Sequence, residues 1–409
     1  MKMETKEYRL GELAQFSNGI NFDKNAYFGS GIRLITVSDF GNNFSPDYES
    51  LIEVSNEVVK DKDLILKNDI LFVRSNGNKE LVGRCMLIDN VDKPTTYSGF
   101  CIKCHFDNEN VSDPKYFTYY FKNQYFRKCI SNASGGTNIQ NLNQEILSKH
   151  KLQLPPLPTQ QKIASILSAY DNLIQNYKKQ IEALQTAASE LYKEWFVRFR
   201  FPGYQTARFE NGIPEGWKVE RIGALYDSTS GGTPSREHEE YFQNGTYPWI
   251  KTGELKDSPI LETEESITDE AIKHSSAKLF EKDSLIIAMY GATIGQLGIN
   301  KMKAACNQAC CVLRPKKDKA FGIYYLFHFF KENREFIIGL GNGAAQQNLS
   351  QVLINKLKIV NPNKEILEIF EKKESLFFEK IYHLQKQIAN LTQQRDLLLP
   401  RLMSGKLEV

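Results

Sequence analysis

From Tyr170 onward, apolar side chains fall alternately four and three residues apart, at Tyr170, Ile174, Tyr177, Ile181, Leu184, Ala188, Leu191 and Trp195. The same rhythm returns at Phe377, Ile381, Leu384, Ile388, Leu391, Arg395, Leu398 and Leu402, with Arg395 as its one polar member. A repeat averaging about 3.5 residues puts each set on one stripe of a helix for three heptads or more. A single stripe would suit an amphipathic helix lying on its own globule. Two matched stripes supply each other's burial partner, so the pattern predicts an antiparallel intramolecular helix pair.

The entry to the first helix reads LPPLPTQQ over 154–161. Prolines cannot donate to a strand ladder and disfavour helix before them, so they should end a strand, with Thr159 as the N-cap of the helix. At about 1.5 Å per residue, a helix of about 38 residues is a rod about 57 Å long. Such a rod reads as a spacer.

Outside the stripes the pattern is that of short strands. ILFVR (70–74) and SLIIAMY (284–290) are apolar runs bounded by turn residues. Phe100, Ile102, Cys104 and Phe106 alternate with other residues, which predicts a strand with one buried face. Tyr116–Phe126 and Ile323–Lys331 read as aromatic-rich helices whose rings pack a core.

The chain is also written twice. Gly136–Phe196 aligns without a gap on Gly343–Met403 at an offset of 207 positions, matching Gln140 with Gln347, Leu142 with Leu349, Pro155 with Pro362, and Ile181 with Ile388. Upstream, YRLGEL (8–13), RLITVSDF (33–40) and the segment 66–88 find looser counterparts at 219–225, 248–255 and 280–299, in the same order. The resulting division is a mixed α/β unit over 1–158, a spacer helix over 159–197, a linker and second unit over 198–365, and a second spacer helix over 366–409.

Composition narrows the class. At 409 residues, 41% hydrophobic and 25% charged, the chain is globular and too long for one ordinary domain. A net charge of +3 neither announces nor excludes a nucleic-acid partner, because a local basic face matters more than the sum. The sequence has no long apolar span and no secretory leader, and its cysteine count is odd, at seven. We therefore expect a cytoplasmic protein that does not engage a membrane.

PPLPTQQKIASILSAYDNLI (155–174) and LYKEWFVRFRFPG (191–203) resemble signatures of the specificity subunits of Type I restriction-modification enzymes. In the second unit Ser230–Pro234 (SGGTP), Tyr247–Lys251 (YPWIK), Gly291–Gly295 (GATIG) and Asn307-Gln308 follow the order of that family's target recognition domains. The first unit, through RSNGNKELVG (74–83) and YSGFCIK (97–103), is similar to another variety of the same domain and lacks the GGTP and ATIG elements. The resemblance covers essentially the whole chain. It implies an α+β fold with pseudo-twofold internal symmetry, in which two target recognition domains are joined by two long antiparallel coiled-coil helices. Functionally it implies a non-catalytic subunit that reads a bipartite, asymmetric site in double-stranded DNA. Two methyltransferase subunits and restriction/translocase subunits would be its partners, and S-adenosylmethionine, ATP and magnesium would sit on those partners.

Base reading needs Arg or Lys on guanine and Asn or Gln on adenine, while phosphates are held by Lys, Arg, Ser, Thr and backbone N–H groups. Polar turns after apolar strands are suitable carriers. In the first unit they offer Arg74, Ser75, Asn76, Asn78 and Lys79; in the second, Thr233, Lys251, Thr252, Tyr290, Thr293 and Gln296. The glycine- and amide-rich strings SGGTNIQN (134–141) and GNGAAQQN (341–348) add Thr137, Asn138, Gln140, Gln346 and Gln347. Gln140 and Gln347 are matched between copies and so suit phosphate or structure, whereas the unmatched Asn138 and Gln346 suit base reading. Arg198, Arg200 and Arg208 lie among aromatics in VRFRFPGYQTARF (197–209), which either touches DNA or closes a linker onto the rod.

Catalytic motifs are missing from the sequence. Asn361-Pro362-Asn363 lacks the second proline and the aromatic of an adenine methyltransferase, and Gly405-Lys406 is not part of a Walker loop. Cys101-Ile-Lys-Cys104-His105 spells a haem-attachment string, but on a strand the two cysteines would face opposite ways, so we assign neither haem nor metal. The rival readings are the specificity subunit of a related bipartite Type II enzyme, a self-contained methyltransferase or nuclease, and a protein-binding tether. Insertion of four residues into both helices, near Gln180 and Gln387, adds about 6 Å of rod. In the assembled complex it is expected to lengthen the gap between methylated half-sites by one or two base pairs, as mapped by methylation sequencing; an unchanged gap would contradict the spacer.

Overall fold

The structure is a computed structural model that describes residues 4–22, 31–41, 43–78, 80–133, 141–316, 322–341 and 348–409, the side chains of 131–133 excepted. The chain forms two compact units, one made of Met1–Gln175 with Asn390–Val409 and the other of Asn176–Ala389. Their boundaries fall inside the two long helices. The reason lies in the two cores, each of which takes in an end of both helices.

The first unit carries β1 (Lys6–Arg9), β2 (Ala14–Asn18), β3 (Gly31–Ile35), β4 (Ile52–Ser55), β5 (Ile70–Val73), β6 (Cys85–Leu87), β7 (Thr95–Tyr97), β8 (Cys101–Phe106) and β9 (Lys151–Leu154). Its helices are α1 (Pro114–Lys122), α2 (Gln124–Ala133), α3 (Gln144–Lys149) and the start of α4 (Leu157–Tyr192). One sheet has the order β2-β8-β5-β6 and a second the order β4-β3-β7, where β3 and β7 are parallel. A β1–β9 ribbon closes the unit.

The second unit repeats this plan. After a short hairpin of β10 (Phe209–Glu210) and β11 (Ile213–Pro214) come β12 (Lys218–Arg221), α5 (Ile222–Leu225), β13 (Tyr226–Ser230), β14 (Tyr247–Ile250), β15 (Ser258–Ile260) and β16 (Ser266–Ile267). Then follow α6 (Asp269–His274), β17 (Leu279–Phe280), β18 (Leu285–Ala288), β19 (Leu297–Asn300), β20 (Ala304–Cys306) and β21 (Cys310–Pro315). The unit ends with α7 (Ile323–Glu332), α8 (Arg334–Leu340), α9 (Gln351–Lys356), β22 (Lys358–Asn361) and the part of α10 (Lys364–Met403) up to Ala389. The sheet β13-β21-β18-β19 mirrors β2-β8-β5-β6, β16-β14-β20 mirrors β4-β3-β7, and β12–β22 mirrors β1–β9. The protein is thus an α+β internal repeat of two mixed α/β units with two long helices.

Each core is finished by a helix from the other repeat. In the first unit Ile163, Ala164 and Leu167 of α4 share an apolar cluster with Leu402 of α10 and with Phe117 and Phe121 of α1. In the second unit Tyr192, Trp195 and Phe196 share one with Leu367, Phe370 and Phe378 of α10 and Tyr325 of α7. A π-turn over Lys193–Val197 widens the end of α4, so that the consecutive rings of Trp195 and Phe196 both enter this core. Their centroids lie 5.9 and 4.8 Å from Phe370. Ala188 lines a small cavity with Phe378 and Ile381, so within this unit the two helices run antiparallel.

Of the stripe positions, Ile174, Ala188, Trp195, Ile381, Leu384 and Leu402 are buried; Tyr170, Tyr177, Ile181, Leu184, Leu191, Phe377, Ile388, Leu391, Arg395 and Leu398 are half-buried. Phe378, next to the expected Phe377, is the ring that enters the core. Arg395 is paired: its guanidinium donates to Asp171 of α4 at 2.5 Å, and Asp171 also accepts from the Tyr119 hydroxyl at 2.5 Å.

Two sequence expectations change. Helix α4 starts at Leu157, and Thr159 lies in its first turn, its N–H donating to Pro156. Pro158 fits there because first-turn N–H groups have no helical partner to lose. Phe100 is 58% exposed and precedes β8, so it does not share the buried face of Ile102, Cys104 and Phe106.

Helix α10 also buries acids. Glu371 accepts from the backbone N–H groups of Tyr325 (2.7 Å) and Tyr324 (3.3 Å), so it caps α7, whose own N-cap, Gly322, has no side chain. A Cβ on Gly322 would fall on the Glu371 carboxyl. One turn on, Glu374 meets His328 of α7 at 2.9 Å, both essentially inaccessible. Burial pushes both carboxyls up to about 8 and the imidazole down to about 3, a pair held uncharged at neutral pH. An acid raised in the folded state contributes stability that is complete below its ordinary pKa and is lost as pH rises through about 8. Melting temperature is therefore expected to fall by several degrees between pH 6 and 8.5, and Glu374→Gln should flatten that fall; parallel curves by calorimetry would contradict the assignment.

Candidate nucleic-acid interface

In the first unit the ends of four strands meet. The β2 strand runs out at Gly19, whose N–H donates to Cys101 O at 3.2 Å; Ile20 donates to Tyr97 O at 3.3 Å. The β3 strand ends in a turn capped by Asp39, which accepts from Thr36 N–H at 2.7 Å. The β7 strand passes into a tight turn closed by Cys101 N–H on Ser98 O at 2.9 Å. The β5 strand ends at Arg74, whose N–H donates to Phe100 O at 2.7 Å and whose carbonyl accepts from Leu142 N–H at 2.8 Å. Ser75 bridges to Asn141, so the loop after ILFV and the last residue of the first glycine-rich string lie together.

The second unit repeats the frame bond for bond. Gly231 N–H donates to Cys310 O at 3.1 Å and Gly232 N–H to Cys306 O at 2.9 Å. Glu254 accepts from Lys251 N–H at 2.8 Å. A turn closes with Cys310 N–H on Asn307 O at 3.1 Å, Met289 N–H donates to Ala309 O at 2.8 Å, and Leu349 N–H donates to Met289 O at 2.7 Å. The difference lies in the side chains that the frame presents.

Arg74, Ser75 and Asn76 are half-buried at this mouth and Asn78 is exposed. The carbonyl oxygens of the Asn76 and Asn78 side chains accept from Asn78 N–H and Glu80 N–H, at 2.7 and 3.0 Å, and so shape the turn. In the second unit Tyr290, Thr293 and Gln296 are half-buried on the turn between β18 and β19. Gly291, at φ +85, reverses the chain there. The Thr233 hydroxyl bonds the Gln308 side chain, which joins two separate sequence motifs. Thr252 opens a single 3₁₀ turn beside the mouth.

Lys251 is already occupied. Its ammonium meets Glu264 at 2.7 Å and Glu265 at 3.0 Å, and Arg236 holds Glu265 from the other side at 2.6 Å. The Arg236 hydrogen bond, aided by Lys251, brings the Glu265 carboxyl down to about 2. Arg198 pairs with Glu190 and Glu194, and Arg200 with Glu194, so these two tie the linker to α4. Lys79, Thr137, Asn138, Gln140, Gln346 and Gln347 lie outside the described residues. Among the described residues no cluster of His, Cys, Asp and Glu could hold a metal ion, and no helix is long and apolar enough to cross a membrane.

A repeated α/β unit whose strand ends gather polar loops, one copy on each half of the chain, defines a class of duplicated recognition proteins. The family model described as "Type I restriction modification DNA specificity domain" matches residues 2–186 and again 214–397, and the chain belongs to that family. It is 30% identical over 305 residues to the Type I restriction enzyme MjaIX specificity subunit of Methanocaldococcus jannaschii, covering 72% of this chain and 69% of the relative. It is 26% identical to the HindI specificity subunit of Haemophilus influenzae over 98% of this chain and 99% of the relative. Its fold resembles the crystal structure of a Type I restriction-modification S subunit from M. genitalium, with a TM-score of 0.63, 16% identity and coverage of 98% and 96%.

Proposed function

We propose that this DNA-recognition subunit reads a bipartite, asymmetric duplex site, one half with each unit, and carries no catalytic step itself. The observation that supports this most is the frame of strand ends, present in both units and differing in the side chains it presents. A shared frame keeps a common docking geometry, and unlike tips discriminate unlike sequences. The loops offer Arg, Asn, Gln and Thr, the donors and acceptors that duplex DNA requires.

On this reading methyl transfer and cleavage belong to partners: two methyltransferase subunits that bind S-adenosylmethionine, and restriction/translocase subunits that use ATP and magnesium. The helix pair is their docking surface, since it is the element common to both repeats. Replacing residues 1–156 by the matching segment of another specificity subunit, with α4 and α10 kept, should change one half of the methylated sequence and leave the other intact. Methylation sequencing of cells carrying the hybrid and its modification partners reads this directly, and a change in both halves would contradict modular reading. The purified chain alone is expected to transfer no methyl groups.

A further inference from the structure

At one point in the first unit Arg74, singled out from sequence, meets two residues that were not, Asn21 and Phe100, around the Gly99 peptide. The turn Ser98–Cys101 is closed by the Cys101 N–H and stiffened by Phe100 N–H donating to the Ser98 hydroxyl at 3.2 Å. Gly99 N–H donates to Ile20 O at 2.7 Å, and the Arg74 guanidinium donates to Gly99 O at 3.4 Å. The Asn21 side chain lies so close that a Cβ on Gly99 would come within 2.2 Å of its oxygen. Phe100, at the turn's corner, is 58% exposed, whereas the next two residues, Cys101 and Ile102, are fully buried.

An isolated exposed ring requires no explanation. Here the ring stands on the turn, and an exposed amide from the segment after β2 and a guanidinium from the end of β5 converge on its Gly99. Among the described residues the Arg74 side chain bonds only the Gly99 carbonyl, so its charge faces no carboxylate. We propose that Asn21 and Phe100, seated on Gly99, select an A·T base pair within the half-site read by the first unit, and that Arg74 anchors them on the adjoining backbone phosphate. The proposal rests on the DNA-reading function above.

The chemistry commits to this pair. A side-chain amide matches adenine N6 and N7 in the major groove, and a phenyl ring packs on the 5-methyl group of the paired thymine. Both points of recognition lie on one base pair, as Phe100 follows Gly99 on the turn and the Asn21 side chain packs against that same glycine. The second unit fills the equivalent places differently. Thr233 stands where Asn21 does, Gln308 where Gly99 does, and Ala309, which is buried, where Phe100 does. One frame thereby offers an apolar knob in one unit and a hydrogen-bonded amide in the other.

The test uses the full chain expressed with its modification subunits on a randomised plasmid library, with methylated sites sequenced. Phe100→Ala and Asn21→Ala should each reduce discrimination at a single A·T position of one half-site by about tenfold, and leave the other half unchanged. Phe100→Leu, which keeps an apolar surface, should retain most of it. Deoxyuridine in place of thymidine at that position should weaken binding by the wild-type complex several-fold and the Phe100→Ala complex not at all. Unaltered selection in both alanine variants, or equal loss in both half-sites, overturns the proposal; a melting temperature equal to wild type confirms that the fold is intact. If the wild-type complex selects no sequence, the DNA-reading function falls as well, an outcome distinct from a normal wild type with indifferent variants.

Discussion

A long helix with an apolar stripe is unstable in water until the stripe is covered, and that requirement organises this chain. Burying a large apolar side chain is worth about 1.5–3 kcal/mol, so rows such as Ile163–Leu167 and Tyr192–Phe196 dominate the stability of whatever they join. They join each core to a helix from the opposite repeat. Leu402, near the end of α10, belongs to the core of the first unit, and Trp195, near the end of α4, to that of the second. Neither unit is complete from its own segment of sequence.

Polar contacts then fix where each helix sits. Asp171 takes Arg395 and Tyr119 together, and Gln160, fully buried, accepts from Asp113 N–H at 2.9 Å while donating to Val111 O and Pro155 O. In the second unit Glu371 and Glu374 play the corresponding part against α7. Removing one member of such a set leaves a buried group unpaired, which costs about 1–3 kcal/mol. Apolar burial supplies the energy and these bonds supply the register. A reader whose loops must meet a duplex at fixed places needs both.

The repeat, the two helices and the aromatic helices α1 and α7 were legible because periodicity reports burial directly. The loops after β5 and β18 were legible because turn residues follow apolar runs. Other features depend on contacts between distant residues and leave no periodic trace. Phe100 prolonged the alternation of β8 by one step, and only the bonds at Ser98 and Gly99 turn it outward. Glu374 continues the stripe of α10 toward Phe370, yet an acid there reads as the stripe's end until His328 is found against it. Lys251 looked available because Glu264 and Glu265 lie more than a dozen residues away in sequence. Asn21 drew no notice because Gly99 is 78 positions further on.

Hydrogen exchange on the full-length Leu402→Asp variant tests the shared cores most directly. A charge placed in the cluster of Ile163, Ala164 and Leu167 should strip protection from β1, β9 and α1 and leave α7 and β18 as protected as in wild type. Undiminished protection throughout residues 4–175 would contradict the account.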